Sequence, residues 1–310
     1  MAMNESIISR LSLGPVQYHW TREQLLDFYT SISDTQVDIV YLGETVCSKR
    51  RMLKLDDWLG IARELSEAGK EVILSTLALI EAESEILSMK RICENGQFRV
   101  EANDMASVHM LEKIGAPFVG GPTLNLYNQK SIEVLAKSGM YRWVMPVELS
   151  RKTFMDIRNE LPGGLETEVF AYGRLPLAFS ARCFTARAHD LPKDDCQLRC
   201  IDDPDGLLMK TREDEEFLVL NGIQTQSAHT FNLIAAEPPG QAKIDVLRIS
   251  PQSRDNLDII HHFDAWRNGC AADTDVARMM EEMMPTGVCN GYWLGEPGMN
   301  RGSVEVPLPG

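Results

Sequence analysis

Four of the seven cysteines have a spacing that suits metal binding. Cys183, Cys196 and Cys200 fall in RCFTARAHDLPKDDCQLRC, with twelve residues between the first two and three between the last two. Two thiolates separated by three residues can converge on one centre, and a third can arrive from the preceding loop. Cys47, in VYLGETVCSKRR, is the candidate fourth ligand and lies far away in sequence.

Four thiolates suit either a 4Fe-4S cluster or structural zinc. The spacing favours iron–sulfur, because zinc ribbons usually use paired C-x2-C knuckles and only one close pair occurs here. The alternative is that these cysteines are small buried hydrophobic residues. Basic residues flank the ligands and suit a negatively charged centre or an anionic substrate, although solvated surface charge explains them equally well. They are Lys49, Arg50, Arg51, Arg182, Arg187 and Arg199.

The remaining cysteines and histidines give weaker signals. Cys93 lies on a helical pattern and is predicted to be a core residue, and Cys270 and Cys289 have no close cysteine neighbour in sequence. His189 lies between the cluster cysteines and is a candidate proton carrier. The HExxH, Gly-x-Ser-x-Gly and P-loop motifs are absent from the sequence.

The elements that must position these residues follow a strand–helix alternation. Eight β-rich runs are separated by segments with apolar residues at helical spacing, which predicts an α/β fold of the (β/α)8, TIM-barrel-like type. A doubly wound open sheet is the rival, but no glycine-rich fingerprint follows the first run. The predicted strands are 37–42, 71–77, 98–101, 117–119, 142–146, 168–172, 217–220 and 244–249. In such a barrel the loops after strands one and six open on the same face, so Cys47 can meet the other three cysteines.

One segment interrupts the alternation. From residue 174 to 216, after the sixth predicted strand, no clean helical pattern occurs, and we interpret it as a cysteine-containing, cluster-binding insertion. We therefore expect a single barrel-like domain over 1–310, with this insertion and a C-terminal tail over 285–310. Some polar residues at the predicted strand ends should line a pocket. They are Glu44, Ser75, Thr76, Glu101, Asn103, Thr123, Asn125, Asn128, Glu148, Tyr172, Arg174, Asn221 and Ser250.

Charge and hydropathy limit the function classes. The 31 Lys and Arg minus the 45 Asp and Glu give a net charge of −14, and an acidic surface of this kind repels phosphate backbones. Met1–Leu13 shows no leader pattern, and the best apolar run, Val72–Ile80, is too short for a membrane span. We expect a soluble cytoplasmic protein whose thiols stay reduced.

Several blocks together resemble the UbiV family of the collagenase-like peptidase superfamily, from about Ser12 to Trp293. They are LGETVCSKRR, LSTLAL, RWVMPVELSR, FAYGRLPLAFSARCFTAR and CNGYW. Glu168, Phe170 and Gly173 match the E-x-F-x-x-G element of the superfamily. The residues that follow, Arg-Leu-Pro, depart from the wider pattern and fit this branch.

The resemblance implies an iron–sulfur subunit required for oxygen-independent, anaerobic hydroxylation of the aromatic ring in ubiquinone biosynthesis. It implies a 4Fe-4S cluster held by Cys47, Cys183, Cys196 and Cys200. It also implies a heterodimer with a UbiU-like homologue, a UbiT-like lipid-binding partner, and two small molecules, a ubiquinone precursor and prephenate as hydroxyl donor. The enzyme would then be the pair, with this chain as one subunit, and no catalytic residue is assigned.

Three other functions stay open. An RNA-modifying hydroxylase of the same superfamily is disfavoured by the negative charge. A non-catalytic scaffold would use the cluster to hold the insertion while the partner carries the chemistry. A peptidase is weakest, because no nucleophile–base arrangement is visible in the sequence. Four cysteine ligands would fill all four irons, which favours electron transfer or a structural role. Lys49, Arg50 and Arg51 are hypothesised to hold the two carboxylates of prephenate.

Overall fold

A closed barrel of parallel strands forms the centre of the molecule. The computed structural model describes residues 8–270, 273–284 and 286–302. Eight strands follow one another around the barrel, and the last pairs in parallel with both the first and the seventh, which closes it. The barrel strands are β1 (Arg10–Leu13), β2 (Ile39–Leu42), β3 (Glu71–Ser75), β4 (Arg99–Ala102), β5 (Phe118–Gly120), β6 (Met140–Val144), β7 (Glu166–Phe179) and β11 (Val246–Ile249). The strands outside it are β8 (Leu207–Lys210), β9 (Glu216–Asn221), β10 (Gln224–Asn232) and β12 (Val288–Cys289).

Helices alternate with the barrel strands, which confirms the (β/α)8 prediction. They are α1 (Arg22–Ile32), α2 (Leu55–Glu67), α3 (Glu83–Cys93), α4 (Met105–Lys113), α5 (Gln129–Lys137), α6 (Arg151–Arg158) and α8 (Asn256–Arg267), with α7 (Phe184–Ala188), α9 (Asp273–Glu281) and α10 (Gly291–Leu294) outside the alternation. Local chemistry sets the helix starts: Thr21 and Gln24 form a reciprocal capping box, and the Ser150 hydroxyl accepts the Thr153 N–H. None of the helices in the described part of the chain is long and apolar enough to cross a membrane.

The sequence predicts the right number of barrel strands, but it misses one barrel strand and includes one strand that lies outside the barrel. β1 was not predicted, because RLSL is only four residues long and half polar. The run 217–220 was predicted as a barrel strand, but it lies in β9, which pairs antiparallel with β8 and β10. The insertion therefore follows the seventh barrel strand and not the sixth.

The insertion is attached to the barrel by an extension of β7. β7 continues through Phe179, so Arg174 lies in a strand and pairs with Thr230 of β10. The hairpin of β9 and β8 adds to β10. The cysteines of the insertion lie between β7 and β8: Cys183 directly precedes α7, Cys196 follows the first of two short 3-10 turns, and Cys200 lies in the second. Regular structure thus holds both ends of the cysteine-bearing segment.

The described part of the C-terminal tail packs on the same structure. β12 pairs in parallel with β10, and Trp293 of α10 is buried. Its indole Nε1 donates to Glu237 Oε2 at 3.1 Å, and its ring lies 5.9 Å from that of Phe154. Residues 285 and 303–310 lie outside the described residues.

Charged side chains occupy the interior of the barrel, where branched apolar residues are usual. Glu168 of β7 is fully buried and pairs with Arg248 at 2.7 Å, while its other oxygen lies 3.9 Å from Arg142. Hydroxyl groups of Ser12 and Tyr41 donate to the same carboxylate at 2.6 and 2.5 Å. Burial alone would raise the pKa of Glu168, but the two guanidinium groups outweigh it and hold the pKa below its ordinary value. This network links strands on opposite sides of the barrel.

Candidate functional site

The loop after β2 places Cys47 at the carboxyl end of the barrel. The Glu44 carboxylate accepts the backbone N–H groups of Val46 at 2.8 Å and Cys47 at 3.0 Å, which shapes the turn. The carbonyl of Cys47 then accepts the N–H of Arg50 at 3.0 Å. Burial raises the pKa of the Cys47 thiol to about 11. The loop thus presents a half-buried, protonated thiol.

The insertion supplies the other three thiols from short turns. Cys183 is the N-cap of α7, and its Sγ accepts the Ala186 N–H at 3.4 Å. Cys196 and Cys200 are joined through the Arg199 N–H, which donates to the Cys196 carbonyl at 3.2 Å. Gln197 and the following leucine both adopt positive φ angles, of 50° and 54°, which non-glycine residues rarely do. The backbone between these two cysteines is therefore held in a tight, uncommon turn.

The two distant segments meet around Cys200. Burial raises the pKa of its thiol, and the neighbouring Cys183 thiol contributes in the same direction. Cys200 in turn contributes to the raised pKa of Cys47. Cys200 therefore lies near both Cys47 and Cys183, and Cys196 is linked to it through the turn between residues 196 and 200.

Arg50 lies between the two cysteine segments and is buried. Its Nη1 donates to the Gln17 carbonyl at 2.6 Å and its Nη2 to Asn221 Oδ1 at 2.7 Å. Its charge interacts favourably with Cys47 and Cys200. A Cβ at Gly222, whose φ is +63°, would lie 2.7 Å from Arg50 Nη2, so glycine leaves room for the guanidinium. A buried cation therefore stands beside the thiols.

Sequence reasoning missed His19, whose side chain makes a polar contact with the sulfur of a candidate ligand. Its Nδ1 lies 3.3 Å from Cys200 Sγ, and its side chain is buried in the loop after β1. Burial first, and Arg50 second, lower its pKa to about 4, so the imidazole is neutral near pH 7. In the sequence, this loop is marked only by one histidine. The strand that precedes it, β1, is not predicted from the sequence either.

The four cysteines are not gathered into a preformed ligand set. Among residues 8–270, 273–284 and 286–302, no three His, Cys, Asp or Glu side chains are grouped closely enough to hold a metal ion. The local chemistry nevertheless fits an anionic thiolate centre. Buried Arg50 Nε and His19 Nε2 have no hydrogen-bond partner among the described residues, and both belong to side chains beside Cys200. The assignment of Cys47, Cys183, Cys196 and Cys200 as ligands stays a prediction.

The side chains of the basic residues after Cys47 donate hydrogen bonds to other groups of the protein. Lys49 Nζ donates to the Lys193 carbonyl at 2.7 Å, and Arg51 Nε to the Ser48 carbonyl at 3.1 Å. Arg50 has the two partners given above. The Lys49 contact ties the Cys47 loop to the insertion, and all of these contacts disfavour the hypothesis that the three side chains hold a dicarboxylate.

A cavity of about 470 Å³ opens at the carboxyl end of the barrel. Five of the polar residues predicted to line a pocket do so: Glu101, Asn103, Thr123, Asn125 and Glu148. Sequence reasoning missed Gln17, Thr45 and Arg248, which also line it. Arg248 carried a usable signal, a charge in the middle of the apolar strand sequence VLRI.

The other cysteines and histidines lie as follows. Cys93 ends α3 and is buried, as predicted for a core residue. Cys289 is buried in β12, and Cys270 is exposed. His189 ends α7, inside the cysteine-bearing segment. Its predicted role as a proton carrier stays a prediction.

Residues 26–301 match the sequence model of peptidase family U32. The chain belongs to peptidase family U32. The match spans both the loop that carries Cys47 and the cysteine-bearing insertion. It agrees with the collagenase-like superfamily expected from the sequence blocks.

The chain resembles several solved structures at low sequence identity. The chain is similar to the U32 peptidase Mk0906, with 10% identity, a TM-score of 0.46, and coverage of 81% of this chain and 96% of that one. It is similar to the tryptophan synthase complex from Pyrococcus furiosus, with 9% identity, a TM-score of 0.43, and coverage of 89% and 97%. It is also similar to dihydrodipicolinate synthase DapA-2 from Bacillus anthracis, with 10% identity, a TM-score of 0.37, and coverage of 53% of this chain and 64% of that one.

Proposed function

We propose that this U32 protein is an iron–sulfur subunit of an oxygen-independent hydroxylase in ubiquinone biosynthesis. Cys47, Cys183, Cys196 and Cys200 would hold a 4Fe-4S cluster, which supplies one-electron chemistry when bound. A UbiU-like homologue would be the other subunit, and a UbiT-like protein would present the lipid-tailed ring. Prephenate would be the hydroxyl donor.

The observation that supports this most is the convergence of two distant segments on Cys200. The loop after β2 and the insertion after β7 are more than a hundred residues apart, yet Arg50 interacts with Cys47 and Cys200 together. A buried guanidinium stabilises neighbouring thiolates, which are the form that binds iron. The neutral imidazole of His19 adds a polar group against the Cys200 sulfur.

The chain's own residues have defined tasks in this proposal. Arg50 offsets the negative charge of the thiolates, and Glu44 fixes the turn that carries Cys47. Gln17 connects the centre to the barrel cavity, because its carbonyl accepts from Arg50 and the same residue lines the cavity. A ring held in the cavity would lie next to the cysteine centre.

A thiol hydrolase is the second candidate, and the Cys200–His19 contact is the observation that favours it. A cysteine nucleophile needs a base that takes its proton, and a third group usually orients that base. Here burial raises the pKa of Cys200 and lowers that of His19, which opposes formation of a thiolate–imidazolium pair. His19 Nε2 finds no orienting partner in the described part of the chain. The pair therefore suits the environment of a ligand better than a nucleophile.

The decisive test is ring hydroxylation by the purified chain with its UbiU-like partner, without oxygen, with a ubiquinone precursor and prephenate. We expect turnover by the wild-type pair and by Cys270→Ala, because Cys270 is exposed and outside the centre. We expect loss of turnover in Cys200→Ala.

The other functions predict different results. Full turnover by a folded, cluster-free Cys200→Ala pair would make this chain a scaffold. Hydroxylation of tRNA or rRNA in place of the quinone precursor would identify an RNA-modifying enzyme. Peptide or ester hydrolysis that disappears in both Cys200→Ala and His19→Ala would identify a hydrolase.

A further inference from the structure

The barrel cavity is lined by one buried acceptor and one buried donor that have no aligned hydrogen bond within the described residues. Glu101 and Arg248 are both more than nine-tenths buried, and both line the cavity. Glu101 Oε2 accepts from Ser75 at 2.7 Å and from Asn103 at 3.2 Å. Glu101 Oε1 lies 2.7 Å from Arg248 Nη2, but among the described residues neither atom makes an aligned hydrogen bond. A buried acceptor and a buried donor thus stand side by side at the bottom of an open cavity.

This pair matches a group that both accepts and donates a hydrogen bond. A hydroxyl oxygen can accept from Arg248 Nη2 while its proton is donated to Glu101 Oε1. The two atoms attract each other as an ion pair at 2.7 Å, and a ligand hydroxyl would add the aligned hydrogen bonds that both atoms lack among the described residues. The other oxygen of Glu101 and the Nε of Arg248 are already fixed by Ser75 and Glu168, so the pair is held in place.

The charge of the lining disfavours anionic ligands. The cavity is lined by two carboxylates, Glu101 and Glu148, and by one guanidinium, Arg248. The charge of Arg248 is also neutralised by Glu168, whose Oε1 lies 2.7 Å from Arg248 Nε. A carboxylate entering the cavity would therefore meet net negative charge, whereas an uncharged hydroxyl compound would not.

The walls suit a flat ring. Three prolines that follow barrel strands line the cavity, namely Pro15, Pro122 and Pro146, together with Pro176 and Phe179 of β7. Rigid apolar faces of this kind pack well against aromatic rings, which bury much surface at a small entropic cost. A cavity of about 470 Å³ has room for one substituted ring.

We propose that the barrel cavity binds an uncharged phenol, with its hydroxyl on Glu101 and Arg248 and its ring between the prolines. The binding itself is independent of the cysteine centre. That the phenol is the ring to be hydroxylated, bound by this chain and not by its partner, rests on the proposed function. Thr45, two residues before Cys47, also lines the cavity, which places the ring beside that centre.

The test is binding of small probes to the purified full chain without its partner, by calorimetry and saturation-transfer NMR at pH 7. Phenol should bind in the millimolar range expected for so small a ligand. Anisole, which cannot donate to Glu101, and benzoate, which is anionic, should each bind at least about tenfold more weakly. No detectable phenol binding, or benzoate binding as tightly as phenol, would overturn the proposal.

Two variants and a control locate the site. Glu101→Gln should weaken phenol binding about tenfold while it leaves anisole unchanged. Should that variant not fold, Ala78→Phe adds a ring at a lining residue in the loop after β3 and should abolish binding. Val134→Phe, at a 60% exposed position of α5, adds the same ring elsewhere and should bind like wild type. Phenol bound equally by Ala78→Phe would place the site elsewhere and contradict the proposal. These outcomes do not depend on iron or on turnover, so they separate this inference from the hydroxylase proposal.

Discussion

Cys200 Sγ lies 3.3 Å from His19 Nδ1, across 181 residues of sequence. The contact joins the loop after the first barrel strand to the insertion after the seventh. Trp20 reinforces the same junction, because its indole Nε1 donates to the Pro204 carbonyl at 2.8 Å. The environment of the candidate cluster ligand is therefore built by the barrel as much as by the insertion.

We predict that His19 tunes the proposed cluster. A hydrogen bond to a ligand sulfur stabilises the reduced, more negative state, so His19→Ala should lower the reduction potential. The loss of about 1 kcal/mol corresponds to about 40 mV for a one-electron couple. Potentiometric titration followed by electron paramagnetic resonance measures this shift. Iron content should stay at the wild-type level, and an unchanged potential would show that His19 only fills space.

The thiols of the metal-free protein should differ in reactivity. Burial raises the pKa of Cys47 to about 11 and raises that of Cys200, so both are protonated at pH 7. Only the thiolate is alkylated, so their reaction with iodoacetamide should be slow at pH 7 and should accelerate as the pH rises towards 10. Mass spectrometry of labelled peptides gives the rate for each cysteine. Exposed Cys270 should react faster at pH 7, and equal rates for all three would contradict the burial.

Glu168 should dominate the stability of the barrel interior. Glu168→Gln leaves the charges of Arg248 and Arg142 without their shared carboxylate, and breaking a buried pair costs about 3–5 kcal/mol. Urea unfolding at pH 7 measures the change in the free energy of unfolding.

The pH dependence follows from the direction of the same pKa shift. The pKa of Glu168 is held below its ordinary value of 4.5 in the folded protein. Its contribution to stability is therefore complete above that value, and it is lost as the pH falls below it. The gap between wild type and Glu168→Gln should shrink in that range, and a gap that widens on acidification would contradict the assignment.

The C-terminal segment should contribute directly to barrel stability. Trp293→Ala removes a fully buried ring and leaves Glu237 without its indole partner, and such truncations cost about 3–5 kcal/mol. Thermal and urea unfolding both report the loss. Trp293→Phe keeps most of the apolar volume and should cost less, and equal stability of the two variants would argue against close packing of this segment.

The sequence predicts the fold class, but it does not show which barrel strand the insertion follows. Long runs such as Glu71–Ser75 have a clear apolar pattern, whereas β1 has four residues and places Ser12 inside the barrel against Glu168. Its serine is explained only by a carboxylate contributed from β7. A local pattern cannot reveal such a partner 156 residues away.

Some residues of the candidate site are likewise predictable from the sequence, and others are not. Polar residues at strand ends, such as Glu101 and Glu148, were predictable because parallel strands all end on one face of a barrel. His19 and the partners of Arg50 were not, because their roles depend on which loops meet. Arg248 interrupts an apolar strand, and that is a signal a sequence can carry.

Anaerobic purification followed by iron and acid-labile sulfide analysis shows whether the four cysteines hold a 4Fe-4S cluster. We expect a brown protein with about four iron and four sulfide per chain. Cys196→Ala should lose most of both, and Cys270→Ala should keep them. A colourless wild-type protein, one equivalent of zinc in place of iron, or full iron content in Cys196→Ala would contradict a cluster at these cysteines.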